Sequence, residues 1–320
     1  MAPTGLHSIC FRMNLKRLFA LFAVLPLLMN LTRLQAQSLL WTLTKNGASE
    51  HSYIFINTTN TCETQVIIDP KLQTALSKVK TLVFETGATN RANERIYLAA
   101  AQSSLDDSYA AKQMLTPFVY TTLKERGAEI GLTEKFLGQF NIFFVKNKLE
   151  ASCIPCNVTK VVRLEDVLRD TAKKMMMPVT ELLTINEFFD LYHHYPQAFW
   201  DKSISYLLDH PDRVSDALTK KAGAYKAEDL AGLKTTISSD GYYGIRYAFV
   251  DQETNRSTLL TTRIEKQIAS SPTLVILDAS EIANDPTSVF TRLAADGYTL
   301  MPVQEPPKNN HPEVPVDKAD

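Results

Sequence analysis

SLLWTLTKNGASEHSYIFINTTNTC, residues Ser38–Cys62, holds two runs of strand-forming residues around a turn. Ser38–Lys45 alternates large apolar with smaller polar residues. That pattern predicts a strand with Leu39, Trp41 and Leu43 nearest the core and Leu40 and Thr42 on the other face. Asn46-Gly47 is a turn signal, because both residues tolerate the positive φ of tight hairpins. Ser52–Asn57, rich in aromatic and β-branched residues, predicts the returning strand of an N-terminal β-hairpin. Thr58–Cys62 then leaves the strand end, where α/β proteins place their sites.

Working outward, Asp69-Pro70 opens a helix, with Asp as N-cap and Pro in the first turn, and Leu72, Leu76 and Val79 follow at helical spacing. Thr81–Glu85 reads as a buried strand. Strand, helix, strand in that order argues for α/β layers. The sequence from Asn93 to Gly127 is helical in character, and Thr133–Lys148 predicts another helix. Arg163–Met177 is amphipathic, with Leu164, Val167, Leu168, Ala172 and Met175 inward, and Met175–Met177 are expected to pack at its end. Pro178–Leu183 predicts a strand. Ile185–Leu208 predicts a helix or helix pair whose aromatics (Phe188, Phe189, Tyr192, Tyr195 and Phe199) belong to the core. Adjacent His193 and His194 point about 100° apart on a helix and do not converge on one metal. Val214–Ser270 reads as mostly helical, interrupted near Ser238–Gly241. Thr273–Leu277 is a continuous apolar strand of the doubly buried kind. Asp285-Pro286 reads as another helix opening, Gly297 as its left-handed cap, and Tyr298–Val303 as the last strand. The expected class is α/β: a central mixed β-sheet flanked by helices, with a helical middle region.

At 320 residues and 45% hydrophobic content, the chain buries a full core as one large or two small domains. A net charge of −1 with no basic stripe argues against nucleic-acid binding. Lys16-Arg17 followed by Leu18–Met29 reads as a secretory signal, too short to span a bilayer comfortably, with a cut expected at Ala36/Gln37. Residues 1–36 are thus expected to be a signal peptide, with 1–12 an upstream extension before Met13. A single domain is expected over 37–303, and 304–320, rich in Pro, Asn and charge, as a disordered tail. No second long apolar run follows, so the expected product is exported, periplasmic or extracellular, without stable membrane insertion. Signal removal leaves Cys62, Cys153 and Cys156, and in an oxidising compartment Cys62 is expected to pair with Cys153 or Cys156. Thiol exchange at Cys153–Cys156 is disfavoured, since Asn157-Val158-Thr159 opens no helix to activate a thiol. Asn57, Asn60 and Asn157 head formal glycosylation triplets.

SLLW, the Asn-Gly turn and SYIF together resemble the start of TraB/PrgY/GumN-type proteins, which read SYLFGTxH here. Ile56 stands for the glycine of that GxxH motif and Thr59 for its histidine. TLVFET at Thr81–Thr86 is similar to the family's second strand and places its carboxylate at Glu85. Pro178–Leu183 resembles PVxGLET, with Leu183 at the glutamate position and Glu181 two residues earlier as a substitute. Arg263 falls where members carry Arg-Asn, with Ile264 for the Asn. SPTLVILDASEIAN, Ser271–Asn284, is similar to a strand ending in GAxH, with Asp278 for the glycine and Glu281 for the histidine. DGYTLMPV, Asp296–Val303, is a close match.

The resemblance implies metal-dependent peptide hydrolysis in which histidines and glutamates hold a cation that activates water. Both histidines are absent here. The carboxylates Glu85, Glu181, Asp278 and Glu281 remain as weak metal candidates, and Glu85, Glu281 and Arg263 as catalytic candidates, with Arg263 expected to neutralise one of these carboxylates. No GxSxG, HExxH or phosphate loop occurs. The leading expectation is an exported, catalytically degenerate scaffold binding a peptide or protein partner, with no cofactor. The competing expectation is a hydrolase with a rebuilt carboxylate site holding Mn, Co, Zn or Ca.

Overall fold

The computed structural model describes residues 38–45, 51–58, 69–87, 94–102, 107–154, 163–239, 241–283 and 286–304. The signal segment, Asn46-Gly47, Thr59, Cys62, Cys156 and the tail from Glu305 lie outside these residues.

Six strands, β1 (Leu40–Lys45), β2 (Ser52–Asn57), β3 (Thr81–Thr86), β4 (Val179–Leu183), β5 (Thr273–Asp278) and β6 (Tyr298–Pro302), form one mixed sheet in the order β4-β3-β5-β2-β1-β6. β2, β5, β3 and β4 run parallel, while β1 is antiparallel to both β2 and β6. The first two strands pair with Leu40 opposite Phe55 and Leu43 opposite Ser52. Leu40 is buried rather than outward-facing, 1% exposed, and Trp41 is only half-buried. β1 lies inside the sheet between β2 and β6, and Leu40 on one face is as buried as Leu39 and Leu43 on the other, so alternation does not mark an outer face at that end of the strand.

The helix Pro70–Lys78 begins as its sequence predicts, the Asp69 carboxylate accepting the Leu72 N–H at 2.8 Å. It carries the chain from β2 to β3, leaving between them the slot that β5 fills. Thr133–Lys148 is not one helix. Glu134–Gln139 ends at Phe140, and Asn141 caps a second helix, Ile142–Ser152, by accepting the Phe144 N–H at 3.0 Å. Ile185–His193 and Gln197–Asp209 are likewise a pair, broken at Tyr195-Pro196, with a Thr184/Glu187 capping box on the first. Near the C-terminus, Ser288 caps Val289–Ala295, so the helix opens after Asp285-Pro286 rather than on it. Gly297 adopts φ +86 and closes it, as a left-handed cap requires. The methionine run is not buried packing as a whole. Met176 turns left-handed (φ 54) after the helix Leu164–Lys174 and is 91% exposed, while Met177 packs on the core.

Two apolar clusters result. One surrounds the sheet, from Leu40, Ile54, Leu82 and Val275 to Leu260 and Ile264 of the long helix Val250–Ser270. The other lies in the helical middle region and is aromatic, with Phe143, Phe189, Tyr195, Phe199 and Trp200. Phe188 and Tyr243 touch both.

Candidate functional site

Asn57, Asp278 and Glu85 stand at the C-terminal ends of β2, β5 and β3, three adjacent parallel strands. Ligands of open α/β sheets collect at such ends. Here a cavity of about 850 Å³ opens, floored by these residues and walled by the aromatic cluster of the middle helices.

The floor is charged. Glu85 is 8% exposed, accepts the Asp278 N–H at 3.1 Å on one oxygen and bonds Arg256 with the other. Arg256, 3% exposed, turns its Nε to Glu281 at 2.9 Å. Arg246 donates to the same Glu281 oxygen at 3.0 Å, to Glu253 at 2.6 Å and to the Ser280 hydroxyl at 2.8 Å. Tyr195 closes the network with its hydroxyl on Glu253. The Arg256 guanidinium lies 5.2 Å from the Tyr192 ring centre, and its Nη1 has no hydrogen-bond partner among the described residues. Three carboxylates thus share two guanidinium groups, and they do not share them equally. Burial and the Glu281 charge push Glu85 up to about 7. Burial works against Glu281 too, but Arg256 and Arg246 together hold it below the usual carboxylate range.

Another part of the cavity lining has the reverse composition. Glu150, where burial pushes the carboxyl up, is nevertheless held at about 2 by Lys146, Lys221 and the Tyr242 hydroxyl. Lys146 bonds it at 3.0 Å and Tyr242 at 2.6 Å. Lys221 lies 5.0 Å from the Tyr243 ring centre, a cation–π contact.

The sequence candidates divide. Glu85, Asp278 and Glu281 come together. Glu181 does not: it bonds Arg169 at 3.1 Å and lines a smaller cavity beside Gly87 and Leu183. Arg263 neutralises none of the strand-end carboxylates. It forms a two-pronged pair with Glu187, at 2.6 and 3.0 Å, and reaches the Leu182 carbonyl. Neutralisation falls to Arg256 and Arg246, which the motif comparison passed over. Asn57, in a formal glycosylation triplet, is 4% exposed and occupied, donating to Glu165 at 2.8 Å and accepting from Tyr225 at 3.2 Å, so it offers no site for a glycan. Cys153 is a buried free thiol donating to the Leu149 carbonyl. Burial holds that thiol above its usual range, the opposite of what a reactive cysteine needs. The two histidines diverge: His193 stacks on Tyr109 at 3.6 Å, and His194 sits exposed against the Asp190 carbonyl.

The described residues at the strand ends do not fit a divalent cation. Among those described, no three His, Cys, Asp or Glu side chains are grouped to hold one. Arg256 supplies fixed positive charge between Glu85 and Glu281, where a bridging cation would have to sit.

No curated protein and no solved structure matches this chain. The model of the TraB/PrgY/gumN family matches residues 39–302, which takes in every strand and helix described above. The chain belongs to the TraB/PrgY/gumN family.

Proposed function

We propose that this family member is exported and works by binding a peptide, free or as a segment of a partner protein, in the cavity at the strand ends, without metal-dependent hydrolysis. The observation that carries this reading is Arg256 seated between Glu85 and Glu281. A guanidinium there already neutralises these carboxylates and occupies the space between them that a metal activating water would need. The cavity supports a peptide ligand in two ways. Its size lies within the roughly 300–1,000 Å³ typical of ligand sites. Its aromatic lining (Phe143, Phe188, Tyr192 and Tyr97) suits apolar side chains, while the charged groups that share the cavity suit polar backbone and termini. Export rests on the Leu18–Met29 segment.

One feature favours a second reading, hydrolysis from a carboxylate site: Glu85, raised to about 7, lies in the range of a general base. A single assay separates the two. The purified chain is dialysed against Mn²⁺, Co²⁺, Zn²⁺ and Ca²⁺ in turn, its metal content is measured by mass spectrometry, and it is incubated with an arrayed peptide library. We expect no stoichiometric metal and peptides that bind and are recovered intact. Stoichiometric metal lost in Glu85→Gln and Glu281→Gln, or cleaved peptides, would establish the hydrolase instead.

A further inference from the structure

Among the described residues, two buried charged side chains of the cavity, Lys221 and Glu165, form no salt bridge. Lys221 is 5% exposed, and among the described residues it makes no hydrogen bond or salt bridge; the Tyr243 ring lies against its ammonium, and Glu150, which it shares with Lys146, is the carboxylate that feels its charge. The neighbouring Glu150 is already engaged by Lys146 and Tyr242. Glu165 is 6% exposed and accepts the Asn57 amide, yet no cation among the described residues pairs with it. The nearby Arg163 is turned to Asp166, at 3.1 and 3.2 Å. Both Lys221 and Glu165 line the same cavity, and they do not pair with each other. A buried charge without a partner is costly, and a ligand charge of opposite sign relieves that cost.

Their surroundings reinforce the polarity. Lys221 sits with Lys146 opposite a single carboxylate, Glu150, so that end keeps a surplus positive charge. The strand-end side holds Glu85, Glu253 and Glu281 against Arg246 and Arg256, besides Glu165 itself, and keeps a surplus of carboxylates. The same cavity is lined by the aromatic rings of Phe143, Phe188 and Tyr192.

We propose that the cavity recognises a zwitterion, a short peptide with both termini free, its carboxylate at Lys221 and Lys146 and its ammonium at Glu165. This rests on the peptide-binding reading above and adds the ligand's termini and its direction. The aromatic lining of the cavity receives an apolar or aromatic side chain. Peptide segments internal to a folded partner lack both charges and bind less well.

The test is calorimetric titration of the full chain with Ala-Phe-Ala in four forms: free, N-acetylated, C-amidated and doubly capped. The free form is expected to bind tightest, with each cap weakening binding about tenfold. Lys221→Met should abolish the penalty of the C-amide alone, and Glu165→Gln, which keeps an oxygen for Asn57, that of the N-acetyl group alone. The unmodified protein with the four peptides already decides the question if a variant folds poorly. A doubly capped peptide bound as tightly as the free one overturns the zwitterion and leaves peptide binding standing. Library peptides that bind while the free tripeptide does not have the same meaning. No binding by any tripeptide or library member overturns both proposals.

Discussion

Arg256 and Arg263 lie about two turns apart on one helix face, each pairs with glutamate, and they differ in almost everything else. Arg256 is 4% exposed in its side chain and serves two glutamates exposed by 10% and 2%. Arg263 is 30% exposed and serves Glu187, itself 39% exposed. The first pair has lost its water and is held by geometry, so each member depends on the others. The second keeps much of its water, and its partner is also fastened by the Thr184 capping box. One helix face thus carries a buried charge network at the site and a surface pair at its rim. Of the two, only the network lines the cavity.

The largest effect should come from breaking the buried member. Arg256→Met leaves Glu85 and Glu281 facing each other without their shared cation and should cost about 3–5 kcal/mol in urea unfolding. A loss no larger than that of a surface pair would erase the contrast.

The next effect sharpens it through pH. Glu85 is raised from an ordinary 4.5 to about 7 in the folded chain, so the folded state holds that proton more tightly than the unfolded one. Stability from this group is therefore fully present below about pH 4.5 and declines as pH rises through 7, by up to about 3 kcal/mol. Glu281 and Glu150, both lowered, act in the opposite sense, losing their contribution as pH falls below 4.5. Glu85→Gln should flatten the decline between pH 5 and 8 in thermal unfolding and leave the acid limb in place. A decline that persists in the variant would assign it to another group.

The smallest effect belongs to the rim. Arg263→Met should cost under about 1 kcal/mol, and salt should reduce even that. A larger loss in the same urea series would mean that its bond to the Leu182 carbonyl, rather than the ion pair, holds the end of β4.

Much of the scaffold was legible in the sequence because it is local. TLVFET, TLVIL and the Asp69-Pro70 helix opening carry their structure in neighbouring residues. Glu85 and Glu281 were legible because they end motifs. Arg256 was not, since its partner Glu85 lies 171 residues away and no local pattern connects them. A usable signal was nevertheless present. On the helix Val250–Ser270 the buried positions include Glu253, Arg256, Leu260 and Ile264, so two opposite charges occupy the apolar stripe. Charges in such a stripe announce buried partners without naming them. Lys221 and Glu150 sent a fainter version of the same signal from the helices Pro211–Lys226 and Ile142–Ser152, whose other inward residues are apolar. The break at Asn141 was missed because Phe140, Phe143 and Phe144 keep a helical rhythm across it, and only the capping amide reveals the interruption.

The sheet also sets an order in time. β1 joins the last strand, with the Ser38 hydroxyl on the Val303 carbonyl 265 residues away and the Val303 N–H returned to Leu40. β5, which separates β2 from β3, is itself made late. During synthesis β1 and β2 can pair with each other as they emerge, but the outer edge of β1 and the facing edges of β2 and β3 stay open until β5 and β6 are made, when nearly the whole chain has left the ribosome. Pairings this distant fold slowly and invite aggregation meanwhile. The last strands made are thus the ones that close the sheet's open edges.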